Sequence, residues 1–305
     1  MILTVTLNAA LDVTYEVDEL RPDASHRVRA VHQRAGGKGI NVARVLSAQG
    51  RQVTCLGLLG GWAGACIGAD LDAAGIPAAM TTIAGESRRT VSVVSAASGG
   101  STLFNEPGPP VTGAEWQGLV AHCGRFLGMA SVLVMSGSLP PGVPDDAYAQ
   151  LVALARRAGV HTIVDADGVA LARSLEAGPD VAKPNAAELR AATGLDDPAA
   201  GMRSMLAAGA SAVVATFGAE GIRAITREGA WAARLGDPIA GVNPTGAGDA
   251  VAAAIAVGLD DGRDWPSMLA DAVAWSAAAV ASPLAGDLDA TVLDRVRPLV
   301  RVVAA

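Results

Sequence analysis

Three small residues, Gly246, Ala247 and Gly248, run directly into Asp249 and then into the apolar stretch Ala250 to Leu259. Small side chains let a backbone approach a ligand closely, and the N–H groups of a helix's first turn attract negative charge. The segment NPTGAGDAVAAAIAVGL therefore predicts a helix beginning at or just after Asp249, preceded by a turn that suits a transferring phosphoryl group. A carboxylate at that point can accept the proton of an attacking hydroxyl. It can equally serve as the helix N-cap, where Asp is common. The residues alone leave both roles open.

A second glycine-rich loop, AGGKGINVARVLSAQG, places Gly36, Gly37, Lys38 and Gly39 before a helix that closes at Gly50. It is not a Walker-type phosphate loop, because Lys38 is followed by Gly rather than Ser or Thr. Nor is it a dinucleotide fingerprint, whose last glycine would fall on Val42. In KPNAAEL, Asn185 and Glu188 stand three residues apart at a helix start, next to Lys183. An amide and a carboxylate so placed can hold a hydrated Mg²⁺, which keeps most of its waters, or can simply cap the helix. Thr216, Gly218 and Gly221 in TFGAEG fit either a backbone approach to nucleotide phosphates or a β-turn. Ser138, in SGSLPPGVP, lacks the GxSxG context and the His–Asp partners of a nucleophile and reads as part of a substrate-binding turn.

These loops need a frame that brings them together. Short β-branched runs (ILTVTLN, RQVTCLGLL, SVLVMSG, HTIVDA, DVAKPN, SAVVATFG) alternate with Ala-rich amphipathic stretches, which predicts a parallel sheet with crossover helices. Residues 12 to 20, 27 to 34 and 89 to 106 break this rhythm with polar–apolar alternation and a GG turn, and predict an antiparallel flap. No linker divides the 305 residues, so one domain carrying a lid is expected over 1–305.

Composition narrows the function. The net charge of −7 and the lack of a basic stripe interleaved with aromatics argue against nucleic acid as a partner. The longest clean apolar run, Ala250 to Leu259, is far short of the roughly 20 residues a membrane span requires. The start MILTVTLNAALDV has no basic n-region, so a soluble cytoplasmic protein is expected. Cys55, Cys66 and Cys123 lack CxxC spacing and read as small buried hydrophobes, and the four histidines are dispersed.

Taken in order, TLNAALD, AGGKGINVARVL, GESRR, SGSLPPGV, KPNAAEL and NPTGAGDA resemble the ribokinase-like (PfkB) carbohydrate kinase family, most closely its 1-phosphofructokinase and tagatose-6-phosphate kinase branch. The resemblance covers nearly the whole chain and implies a three-layer α/β/α domain with a mostly parallel sheet and a small β-sheet lid. It implies ATP and Mg²⁺ as cofactors and a sugar or sugar phosphate held between sheet and lid.

By the same resemblance, Asp249 is the general base and Gly246, Ala247 and Gly248 form the anion hole. Asp12, Gly37, Lys38, Asn41 and Ser138 contact the sugar, and Arg88 meets its existing phosphate. Lys183, Asn185, Thr216, Gly218 and Gly221 contact ATP, Val273 and Ala277 wall the adenine, and Asn185 with Glu188 serves the metal through water. Exposed lid edges suggest a homodimer. The branch usually reads RxNVK in the lid, whereas here Thr90 and Ser92 replace the Asn and Lys, which weakens the phosphate grip unless the adjacent Arg89 supplies the missing charge. Ala9 replaces a usual Pro, and Asn243 and Pro244 precede the TGAGD turn. Three alternatives follow: a kinase of an unphosphorylated sugar or glycoside, a non-catalytic sugar-binding regulator, and a dinucleotide-dependent oxidoreductase, the last disfavoured by a first βα turn without glycines.

Overall fold

The computed structural model describes residues 1–237, 239 and 243–305. Its first strands are β1 (Ile2–Thr6), β2 (Ala10–Val17), β3 (Ala30–Gly36), β4 (Val53–Leu59), β5 (Ala78–Thr82), β6 (Arg88–Ser95) and β7 (Ser101–Asn105). They are followed by β8 (Val132–Ser136), β9 (His161–Asp165), β10 (Val181–Ala182), β11 (Ala212–Thr216), β12 (Ile222–Thr226), β13 (Ala230–Leu235) and β14 (Val300–Ala304). The helices are α1 (Lys38–Ala48), α2 (Gly61–Ala73), α3 (Gly113–Leu127), α4 (Ala147–Arg157), α5 (Gly168–Glu176), α6 (Ala186–Thr193), α7 (Pro198–Ala207), α8 (Ala247–Asp260), α9 (Trp265–Ala281) and α10 (Ala290–Val296).

One sheet has the order β14-β13-β12-β11-β10-β9-β8-β1-β4-β5. From β5 to β11 all neighbours run parallel, as the continuous apolar runs require of strands covered on both faces. The last three strands are antiparallel, an extension that the sequence pattern did not disclose.

Successive strand residues point to opposite faces, so each strand feeds two cores. Ile2, Val132, Val134, Ile163 and Val181 pack with α1, α8 and α9. Leu3, Val5, Leu133, Met135 and Val164 pack with α3 and α4. Continuing that alternation, Thr6, Ser136, Asp165 and Lys183 fall on the α1 and α8 face, at the carboxyl ends of adjacent strands. A polar row thus ends an apolar core.

The second sheet, β3-β2-β6-β7, is the lid. Its β2–β3 and β6–β7 pairs are antiparallel, but β2 and β6 run parallel, which corrects the expectation of an antiparallel flap. The intervening α1-β4-α2-β5 excursion returns the chain to the same end of β2, so the second lid hairpin starts in the same direction. Helix α8 begins at Ala247, two residues before the predicted start, because Gly246 takes the left-handed conformation (φ 88°) and acts as the N-cap. Among the described residues, no helix is long and apolar enough to cross a membrane.

Candidate active site

Asp249 is the third residue of α8 rather than its cap, and it is buried. Among the described residues no side chain caps this helix; the Ala247 N–H donates to the Pro244 carbonyl at 3.4 Å, and the following N–H groups of the first turn suit an anion. The Asp249 carboxylate instead accepts a hydrogen bond from Asn41 Nδ2 at 2.8 Å. Burial, reinforced by repulsion from Asp165, pushes its pKa up to about 6, against the pull of Asn41, Lys38 and Lys183. A carboxylate so held is ionised at neutral pH yet basic enough to take a hydroxyl proton.

The turn before it is anchored by the residues that departed from the family pattern. Asn243 N–H donates to the Val280 carbonyl at 3.0 Å, and its side-chain amide donates to the Pro283 carbonyl at 3.0 Å. Its Oδ1 accepts from Thr245 N–H at 2.9 Å. A Cβ added to Gly248 would stand 3.4 Å from Lys183 Nζ, which places an ammonium at the cradle.

A cleft of about 490 Å³ has walls that include Thr6, Asn8, Gly37, Lys38, Arg88, Glu106, Ser138 and Asp167, and its Lys38 is close enough to Asp249 to pull on that carboxylate. Gly37 is the N-cap of α1, and Lys38 is the first residue of that helix. Lys38 Nζ reaches Asp165 at 3.2 Å and Glu188 at 3.3 Å. Burial opposes its charge, but Asp165, Glu188 and Asp249 together hold the ammonium above its usual pKa.

Two groups here were missed by sequence reasoning. Asn8 donates to Ser138 Oγ at 3.1 Å and to the Pro107 carbonyl at 3.1 Å, so it ties the turn that carries Ser138 to the segment after β7. Asp165, 1% exposed, ion-pairs with Lys38 and with Lys183 at 3.2 Å each. Their signal was available: a polar residue closing an apolar parallel strand in such a sheet lies at the ligand edge.

From the lid, β2 presents Asp12 and β6 presents Arg88. Arg88 Nε donates to the Asn8 carbonyl at 3.0 Å, and Nη1 to Thr90 Oγ1 at 3.3 Å. Burial pushes Asp12 up to about 6, although a hydrogen bond from Thr90 and the charges of Arg88, Arg34 and Arg44 pull the other way. Arg89 points to the opposite face and pairs with Glu106 at 3.2 Å. It therefore does not replace the lysine missing from the lid.

Asn185 and Glu188 form a capping box on α6: Asn185 Oδ1 accepts from Glu188 N–H at 2.9 Å, and Glu188 Oε2 accepts from Asn185 N–H at 2.8 Å. Thr216 bridges to Asn185 at the end of β11. Gly218 opens a 3₁₀ turn, and Gly221 is required by packing, since a Cβ there would meet the Ala233 carbonyl at 2.2 Å. Val273 is buried in the core beside α8, with Ala277 half-buried one turn on, and neither lines the cleft. The structure thus joins Asp12, Gly37, Lys38, Asn41, Arg88, Ser138, Lys183 and the 246–249 turn, with Asn185 and Glu188 reached through Lys38.

The family profile described as pfkB family carbohydrate kinase matches residues 3–291. A 1-phosphofructokinase from Xanthomonas campestris pv. campestris is 38% identical over 268 residues, covering 85% of this chain and 84% of that protein. The crystal structure of phosphofructokinase-2 from Escherichia coli in complex with potassium superposes with a TM-score of 0.91 at 28% identity, over 97% of this chain and 98% of that one. A possible 1-phosphofructokinase from Thermotoga maritima gives 0.90 at 27% identity, over 100% and 99% of the two chains.

Proposed function

This chain belongs to the pfkB family of carbohydrate kinases, and from that premise we propose that it transfers the γ-phosphoryl group of ATP to a hydroxymethyl oxygen of a ketose phosphate, with fructose 1-phosphate the best acceptor and tagatose 6-phosphate in the same class. The observation that carries the reading is the buried Asp249 carboxylate, raised to about 6, directly beside uncapped helix N–H groups and the Lys183 ammonium. Asp249 orients the acceptor hydroxyl and takes its proton, while the Gly246 to Gly248 backbone and Lys183 absorb the charge of the moving phosphoryl. Asp12, Asn41 and Ser138 hold the sugar hydroxyls. Arg88 and Lys38 are the cations that line the cleft among the described residues, and they meet the existing phosphate.

When bound, ATP would extend from the turn toward Thr216, Gly218 and Gly221, with its base along α9 at the half-buried Ala277, behind which Val273 packs in the core. Asn185 and Glu188 offer oxygen donors that suit a magnesium ion held through water, and the described residues contain no cluster of three or more acidic, His or Cys side chains for a direct cage. When bound, the ion neutralises triphosphate charge. The reaction is carried by a single domain over residues 1–305, with the lid excluding water. Lid edge β7 exposes Leu103 and Phe104, which supports a homodimer through the lid; a monomer by light scattering at micromolar concentration would remove that part. A cytoplasmic setting is supported by three free cysteines.

The substitutions Thr90 and Ser92 favour a second reading, a kinase of a neutral sugar, because they leave the lid without the lysine that usually reinforces the phosphate grip. An ATP-consumption screen over fructose 1-phosphate, fructose 6-phosphate, tagatose 6-phosphate and free hexoses decides between them. The expected result is the highest kcat/KM on fructose 1-phosphate. A free hexose as best acceptor selects the second reading, and no transfer to any of them overturns both.

A further inference from the structure

On the reading that the chain phosphorylates a sugar phosphate, we propose that Asp165 is a positioning residue that fixes Lys38 in the sugar cleft and Lys183 at the phosphoryl cradle. Asp165 ends β9, in register with Ser136 of β8, on the face that packs under α1 and α8. Its Oδ1 accepts a hydrogen bond from Lys38 Nζ at 3.2 Å, and its Oδ2 makes a contact ion pair with Lys183 Nζ at 3.2 Å. The two cations serve different halves of the site. Lys38 lines the cleft, whereas Lys183 Nζ stands 3.4 Å from the position a Cβ would take on Gly248.

Stability alone is a poor account of this arrangement. Asp165 is 1% exposed and the Lys183 side chain 3%, and a buried ion pair is commonly no more stable than apolar residues of the same volume. Lys38 has a second partner in Glu188, but among the described residues Asp165 is the only carboxylate paired with Lys183. Lys183 is held in turn by the strand ladder, its N–H donating to the Val164 carbonyl at 2.9 Å, so its backbone is fixed and the carboxylate sets where the ammonium points. A rigid strand end thereby aligns two flexible side chains whose free rotamers would blur both binding sites.

The test compares Asp165→Asn, Lys38→Met, Lys183→Met and the double variant Asp165→Asn/Lys183→Met, at saturating magnesium. Asp165→Asn is expected to lower kcat by roughly 10- to 100-fold and to raise the sugar KM about tenfold, the range for losing a charge-assisted hydrogen bond. Lys183→Met should lower mainly kcat, and Lys38→Met should raise mainly the sugar KM. The kcat of the double variant should fall no further than that of Lys183→Met, since both changes disable one element at the turn, while its sugar KM rises as in Asp165→Asn. Calorimetric binding of the sugar phosphate without nucleotide should weaken in Asp165→Asn as it does in Lys38→Met.

Multiplying kcat losses in the double variant would overturn the proposal. So would a lowered melting temperature with unchanged kcat and KM, which marks a purely structural residue. A half-saturating magnesium concentration that rises as much as kcat falls would instead make Asp165 a metal ligand and also overturn it. If Asp165→Asn does not fold, Asp165→Glu keeps the charge and displaces it by one methylene, and wild-type kcat in that variant overturns the proposal equally. A wild type that transfers phosphate to no sugar overturns the functional reading and this inference with it, whereas an active wild type beside an unaffected Asp165→Asn overturns the inference alone.

Discussion

Asp249 on α8 and Asp12 on the lid strand β2 are both carboxylates pushed up to about 6 by burial, but their surroundings differ. Asp249 is walled in by core helices, repelled by Asp165, and held through Asn41. Asp12 is half-buried in a sheet of four strands and balanced by Thr90, Arg88, Arg34 and Arg44. The deep carboxylate sits on packed structure that a ligand cannot rearrange. The lid carboxylate is set by cations on side chains that a bound phosphate can redirect. On the proposed function, chemistry falls to the rigid region and recognition to the adjustable one.

The largest expected effect tests the rigid side. Asp249→Asn keeps the shape and the Asn41 contact but removes the proton acceptor, so kcat should fall about 100- to 10,000-fold with little change in ATP affinity. Stability should move the other way. A carboxyl whose folded pKa is raised favours the folded state below its unfolded value of 3.8, and that contribution is lost as pH rises through about 6. At pH 8 the wild type carries a buried charge costing about 3 kcal/mol, so Asp249→Asn should melt no lower than wild type. Retention of more than about a tenth of kcat removes Asp249 as the base.

Next comes the lid. Arg88→Ala should raise KM for a phosphorylated sugar by roughly 10- to 100-fold while leaving kcat nearly unchanged, because a charge-assisted contact is lost in the ground and transition states alike. An equal loss on a neutral sugar would assign Arg88 to holding the Asn8 and Thr90 contacts rather than to binding phosphate.

The pH profile addresses both carboxylates at once. With Asp249 as the proposed base, activity needs it ionised, so kcat/KM should rise through about pH 6 and then level, falling roughly tenfold per unit on the acid side. Asp12→Asn should leave that acid limb in kcat, which reports the deep carboxylate, and an acid limb that vanishes with Asp12 would reverse the assignment.

The smallest effect is expected at Glu188. Glu188→Gln preserves a side chain able to close the capping box on Asn185, so the melting temperature should hold. The magnesium needed for half-maximal rate should rise a few-fold. An unchanged titration assigns Glu188 to the cap and to Lys38 alone.

The Gly246 to Asp249 turn, the glycine-rich start of α1, the α6 cap and the lid strands were legible because each rests on local spacing. For the row Thr6, Ser136, Asp165 and Lys183 only the position at the strand ends was legible, and not which of them meet, since they are far apart in the chain and come together through strand register. Asp165 read as the end of an ordinary buried strand until β10 and α1 brought two lysines to it. The antiparallel strands β12 to β14 escaped because their short runs resemble any half-buried strand and direction is set by tertiary pairing. Arg89, by contrast, could have been placed: adjacent residues on one strand face opposite ways, so Arg88 and Arg89 could not both enter the cleft. Asn243 looked like a departure from pattern, yet two of its hydrogen bonds tie the 246–249 turn to the end of α9 and the segment after it, and a third, from Thr245 N–H, shapes the turn itself.

That same segment meets the lid. Arg34, opposite Asp12 on β3, donates to both carboxylate oxygens of Asp287, at 2.9 and 2.5 Å, and to the Ala285 carbonyl at 3.2 Å, while Ala285 and Gly286 abut Gly246. On the proposed function, this strut is a physical route by which sugar binding under the lid and nucleotide binding at the turn would be thermodynamically linked. Whatever factor the sugar adds to nucleotide affinity by stiffening the lid, the nucleotide must return to sugar affinity through the turn, and a cut at Arg34 should shrink both factors by the same amount.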